Sequence, residues 1–138
     1  MIARFENGSV GTFEATRYAV GNRNRNAFEI NGSRGMLRFN LEDLNRLEFL
    51  DATEPRNLHG PRNLLVTGPD QPYAGNYWKP GHILGYEHTF ISALADFLSA
   101  LGAGRPFHPD FADAQRVQLV LDAVDRSAAA RAFVPVAR

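Results

Sequence analysis

The sequence predicts an α+β protein, with a mostly antiparallel, open β-sheet built first and two long C-terminal helices packed on one face of it. Three observations carry this. Short runs of alternating apolar and polar residues, separated by Gly- and Asn-rich turns, fill the first half of the chain. In the second half, apolar residues recur every three to four positions over two long segments. Strands followed by helices, rather than alternating with them, is the order of α+β folds.

Ile2 to Glu6 and Ser9 to Tyr18 are two extended runs joined by Asn7-Gly8, a pair that tolerates the positive φ of a tight hairpin turn. A two-residue turn there places Ala3, Phe5, Val10 and Thr12 on one face, and Ile2, Arg4, Gly11, Phe13 and Ala15 on the other. Both faces then carry apolar groups. A sheet with one face in water reads apolar on one side only, so helices are expected on one face and a partner subunit or domain on part of the other. After the polar turn from Gly21 to Asn26, Ala27 to Ile30 and Met36 to Phe39 form a second hairpin, and Leu44 to Leu50 adds a strand with Leu47 and Phe49 opposite Glu48. From Ala52 to His82 the chain is rich in Pro, Gly and Asn, and only Leu64 to Thr67 reads as a strand. Such long irregular segments are functional or disordered, and Tyr73, Tyr77 and Trp78 argue against disorder.

Residues 86, 90, 94, 97, 98 and 101 are apolar, which predicts a helix from Tyr86 to Leu101 that Gly102 and Gly104 end. Asp110 is the expected N-cap of a second helix, whose apolar positions run from Phe111 to Ala128. Phe133 to Val136 reads as a short edge strand, since Pro135 cannot donate to a ladder.

The chain has 138 residues, enough for one domain with an ordinary core. Fifteen basic and fifteen acidic residues balance, so the positive field that draws nucleic acid is missing. Cysteine is absent, which excludes disulfides and thiolate metal sites and is compatible with a reducing compartment. Met1 to Ala15 holds no continuous apolar run of a signal peptide, and no stretch reaches the ~20 apolar residues of a membrane span. A cytoplasmic protein is expected.

The densest mix of aromatic and ionisable groups lies between Tyr77 and Phe90. Trp78 offers a face for a sugar ring, with Lys79 and His82 able to bond its hydroxyls; the bland alternative is a turn with a solvated lysine. Lys79 is the only lysine, and a following proline fixes it. Arg17, beside the polar Gly21 to Asn26 turn, is the fourth candidate, with an exposed arginine as its bland reading. His82, Glu87 and His88 do not make a metal site: a helix opening at Tyr86 leaves His82 outside, and no i, i+4 pair shares a face. Gly102-Ala103-Gly104 lies at a helix end, not between a strand and a helix, so it is not a dinucleotide loop. Nothing resembles a nucleophile elbow.

The runs Arg4-Phe5-Glu6-Asn7-Gly8, Gly11 to Arg17, Phe28 to Gly35 and Asn45-Arg46-Leu47, with Pro80-Gly81-His82, Gly85 to Phe90, Leu121 to Val124 and Ser127, resemble the C-terminal domain of the Gfo/Idh/MocA oxidoreductases. The likeness covers nearly the whole chain. It implies a large antiparallel sheet with helices on one face, an open face used for homo-oligomer contacts, and a sugar, polyol or inositol substrate. It also implies NAD or NADP bound in a Rossmann domain, which residues 1–138 do not include, so no cofactor is expected in this chain. The family's Glu-Lys-Pro motif belongs to that other domain, and Trp78-Lys79-Pro80 is not it. The family's catalytic Asp and His have no counterpart here. The expectation is therefore a substrate-side, oligomer-forming part of an oxidoreductase, inactive alone, with no catalytic residue of its own. The alternative is a free-standing binding or interaction module of the same fold.

Overall fold

A computed structural model describes residues 1–137, which divide into two units: residues 1–19 with the chain from Phe97 onward, and residues 20–96. The first unit opens with a hairpin of β1 (Ile2–Arg4) and β2 (Val10–Thr12). Its turn is one residue longer than Asn7-Gly8 suggests. The Gly8 N–H donates to the Phe5 carbonyl and the Phe5 N–H to the Ser9 carbonyl, both over 2.9 Å, and Gly8 takes φ +86°. Asn7 Oδ1 accepts from the Ser9 N–H and hydroxyl, over 3.0 and 2.7 Å, which fixes Asn7 inside a three-residue loop. The register becomes Ile2↔Thr12, Ala3↔Gly11 and Arg4↔Val10. That one-residue slip regroups the faces: Phe5 and Phe13 now lie beside Gly11, with Ile2, Arg4, Val10 and Thr12 opposite. Beyond Thr12 the expected long strand gives way to irregular backbone up to Ala19.

The second unit holds an antiparallel meander, in the order β3 (Ala27–Gly32), β4 (Gly35–Asn40), β5 (Arg46–Asp51) and β6 (Arg62–Leu65). The α+β class stands, with its strands divided between a two-stranded and a four-stranded sheet. Pairing runs almost to the turn, with Gly32 opposite Gly35, and position 35 requires glycine because a Cβ there would collide with the Leu50 carbonyl on β5. The register puts Phe28, Ile30, Leu37, Phe39, Leu47, Phe49 and Leu64 on one face. The other carries an ionic ladder in which Arg38 bridges Glu29 at 2.8 Å and Glu48 at 2.5 Å. Ahead of β3, Glu42 Oε1 accepts from the Arg23 and Asn24 amides, each over 2.8 Å, so the polar turn is tied down. Those amides, Asn24's first, hold the Glu42 carboxyl below its ordinary range.

Two helices follow, α1 (Tyr86–Gly102) and α2 (Phe111–Ala130). α1 ends in a Schellman motif: the Gly104 N–H donates to the Leu101 carbonyl and the Arg105 N–H to that of Ala100, with Gly104 at φ +61°. α2 starts at the expected Asp110 cap. After it the described residues form no strand. Arg131 turns left-handed at φ +51°, and the following segment is held by Arg126 donating to the Pro135 carbonyl over 3.0 Å. Arg4 also stands 4.8 Å over the Phe133 ring. No helix among the described residues is long and apolar enough to cross a membrane.

Candidate functional site

The loop between β6 and α1 is ordered by a series of backbone and side-chain contacts. Tyr73 sits at the centre of a three-residue turn closed by the Ala74 N–H on the Pro72 carbonyl at 2.8 Å. Its φ of +66° is strained for a bulky residue. The Tyr73 hydroxyl donates to Asp96 Oδ2 over 2.7 Å, which anchors that turn to α1 and raises the phenol pKa. Ala74, the next residue, is buried. Next, the Tyr77 hydroxyl donates to the His88 carbonyl at 3.1 Å and receives the Ser92 hydroxyl at 2.7 Å.

Asn45, just before β5, holds the far end of the loop. Its amide donates to the Leu84 carbonyl over 2.9 Å and accepts the Leu84 N–H over 2.7 Å, imitating a strand pairing with a side chain. Leu84 is thereby fixed immediately before α1. At the helix start the Gly85 N–H donates to His88 Nδ1 over 3.0 Å, so histidine satisfies a terminal amide of α1.

Between these anchors lies a cavity of about 350 Å³, lined by Trp78, His82, Ile83, Gly85, Glu87 and His88. The Trp78 and His82 rings stack, with centroids 6.3 Å apart and planes 28° apart, and Trp78 remains 54% exposed. His82 is fixed twice to the Lys79 carbonyl, through its N–H at 3.3 Å and its Nδ1 at 3.0 Å. The His88 side chain is only 15% exposed and meets Tyr77 edge-on at 4.6 Å, while Glu87 is 71% exposed. The arrangement can stack an apolar ring face on indole and offer two imidazoles to polar substituents.

Trp78 and His82, two of the residues singled out from the sequence, are thus brought together. Lys79 enters the site through its carbonyl; its exposed ammonium makes no ion pair or hydrogen bond among the described residues and does not line the cavity. Arg17 belongs to the other unit, exposed in a turn closed by the Tyr18 N–H on Thr16 Oγ1 at 3.1 Å. Sequence reasoning passed over His88, expected to be partly exposed, and Asn45. The only signal for either was a side chain able to bond backbone three residues back, in the first case, and nothing local in the second.

Among the described residues one further group of ligand atoms exists: His108, Asp110 and Asp113 place one each within 4.8 Å of one another. These atoms are already engaged as the start of α2. Asp110 Oδ1 accepts the Ala112 and Asp113 amides, and Asp113 Oδ2 accepts the Asp110 amide over 2.9 Å. The residues described also do not fit a dinucleotide. Gly102-Ala103-Gly104 turns its amides back onto α1 carbonyls, so it cannot cradle a pyrophosphate.

No family model matches the chain. It is 40% identical over 134 residues to levoglucosan dehydrogenase from Pseudarthrobacter phenanthrenivorans, a match covering 96% of this chain and 34% of that protein. Among solved structures, an oxidoreductase domain protein from Kribbella flavida superposes with a TM-score of 0.95 at 44% identity, over 99% of this chain and 36% of that one. A levoglucosan dehydrogenase solved with NADH and levoglucosan gives 0.94 at 38% identity, over 99% and 37%. The chain thus spans about a third of the length of the relatives it matches. It belongs to the Gfo/Idh/MocA-type oxidoreductases, corresponding to the C-terminal part of such a protein.

Proposed function

We propose that the chain supplies the substrate side of an NAD(P)-dependent oxidoreductase acting on sugars, polyols or inositols, and that it transfers no hydride by itself. The observation that carries this is the cavity beside the stacked Trp78–His82 pair, in a chain related to a third of a sugar dehydrogenase. Trp78 takes the apolar face of the sugar ring and His82 a hydroxyl; Lys79 and Arg17 are further substrate-side cations, assigned on sequence grounds. The nicotinamide cofactor would be held by a Rossmann domain outside residues 1–138. Trp78 is the only tryptophan, so its fluorescence tests the reading directly. Saturable quenching by levoglucosan, with none by NADH after inner-filter correction and no NAD-linked turnover, is expected. Saturable NADH quenching would overturn it.

A second part of the proposal concerns assembly. Phe28, Ile30, Leu37 and Leu64 on one sheet face are 37–58% exposed, and such a contiguous apolar face marks an interface. The proposal assigns it to a second copy of the chain. Light scattering at micromolar concentration that found only monomer would refute that part.

A further inference from the structure

His82 and His88 line the same cavity, and their backbone contacts fix the two rings in opposite ways. His82 Nδ1 lies 3.0 Å from the Lys79 carbonyl oxygen. A carbonyl can only accept, so Nδ1 carries the hydrogen and, in the neutral ring, Nε2 keeps a lone pair. At His88 the relation is reversed. The Gly85 amide points its hydrogen at Nδ1 over 3.0 Å, so the neutral ring carries its own hydrogen on Nε2. Glu87 Oε1 stands 3.5 Å from the same Nδ1, too far to compete as a hydrogen bond. Tyr77, edge-on at 4.6 Å, keeps the ring from turning over. Neither Nε2 has a partner among the described residues, and neither is a buried orphan.

We propose that His82 and His88 are specificity-determining residues of opposite polarity: His82 Nε2 accepts from one hydroxyl of a polyhydroxylated ring, and His88 Nε2–H donates to another oxygen of it. This rests on the cavity being the substrate pocket. The chemistry is selective because a hydroxyl both donates and accepts, whereas an ether or keto oxygen only accepts. A ligand lacking a hydroxyl at the His82 position leaves that nitrogen unpaired against it, and one lacking the second oxygen strands the His88 donor. Trp78, stacked on His82, orients the ring without discriminating among hydroxyls.

Two-bond ¹⁵N–¹H correlation spectra of the histidine-labelled chain read the tautomers without any ligand. At alkaline pH, where imidazoles are neutral, the expected pattern is Nδ1–H for His82 and Nε2–H for His88, with peaks assigned through His82→Gln and His88→Gln. The same tautomer on both rings overturns the proposal. Titration with levoglucosan, followed by Trp78 fluorescence, is the second arm. His88→Gln, which keeps an N–H donor, retains binding, while His88→Leu and His82→Leu each weaken it roughly tenfold, the worth of one neutral hydrogen bond. Wild type that binds no levoglucosan overturns both this inference and the pocket. Equal binding by wild type and both Leu variants overturns this inference alone.

Discussion

The two helices begin in different ways. α2 opens with a complete capping box, in which Asp110 accepts the Ala112 and Asp113 amides and Asp113 accepts the Asp110 amide. Both Asp113 carboxylate oxygens are engaged as well: His108 Nδ1 meets Oδ2 at 2.9 Å and Arg116 meets Oδ1 at 2.6 Å. α1 opens on Gly85, which has no side chain to cap with, and borrows His88 from one turn inside. One nitrogen of His88 serves the backbone and the other has no hydrogen-bond partner among the described residues. The carboxylates that open α2 are spent on its own amides and neighbouring cations, whereas the histidine that opens α1 lines the cavity, which is why the proposed ligand contact is placed there. The difference teaches where to look, since the more heavily charged cluster, at α2, is the less available one.

The start of α1 depends on a distant clamp, so it is the easier to break. Asn45→Leu is expected to remove both hydrogen bonds to Leu84 and leave two backbone groups unpaired, at a cost of about 2 kcal/mol in denaturant unfolding. Levoglucosan quenching of Trp78 should fall with it, since the segment leading into the cavity loses its anchor. A variant that kept full binding would show that the loop is held by other contacts. The self-contained start of α2 should suffer less. Asp110→Ala removes the cap and is expected to cost about 1 kcal/mol, with sugar binding unchanged. Tyr77→Phe falls at or slightly below that, about 1 kcal/mol for the hydroxyl shared by His88 and Ser92, but it should lower binding because the His88 backbone is released.

These contrasts were unequally legible in the sequence. The α1 bounds and the Asp110 cap followed from apolar spacing and from the residue types that accept backbone amides, both of which are local. The meander of β3 to β5 followed from alternation and turns, whereas the strand expected at Leu64 to Thr67 begins two residues earlier, as β6 at Arg62–Leu65. The β1–β2 register did not, because Asn7-Gly8 serves a two-residue or a three-residue turn equally well, and Ser9 decided between them through its bonds to Asn7. The strand expected at Phe133 to Val136 failed because alternation does not supply a partner strand. Trp78 and His82 were singled out because aromatic and ionisable groups clustered in one irregular stretch, and the structure brings their rings together. Asn45 was not, since its partner Leu84 lies 39 residues away, and nothing in a single sequence links the two. Lys79 drew attention by its charge, whereas the structure uses its carbonyl.

The smallest effect expected is a pH dependence that belongs to α2. The His108 pKa is raised above the ordinary 6.5, first by its hydrogen bond to Asp113 and then by the charges of Asp113 and Asp110. The Asp113 carboxyl is lowered to about 2, by His108 first and then by the Asp110 amide. A raised histidine stabilises fully below its unfolded value and loses this as pH climbs through the folded pKa; a lowered carboxyl stabilises above its unfolded value and loses this as pH falls toward 2. Stability from this pair should therefore be flat between about pH 4 and 6.5 and decline on both sides. Exposure and salt keep both limbs shallow. His108→Ala should abolish the alkaline limb while leaving a reduced acid limb, because the Asp110 amide still favours the Asp113 carboxylate. Denaturation midpoints measured across pH for wild type and His108→Ala separate the two. An alkaline limb that persisted in the variant would assign the titration to another group, and the closed, self-satisfied character of this helix start would lose its electrostatic part.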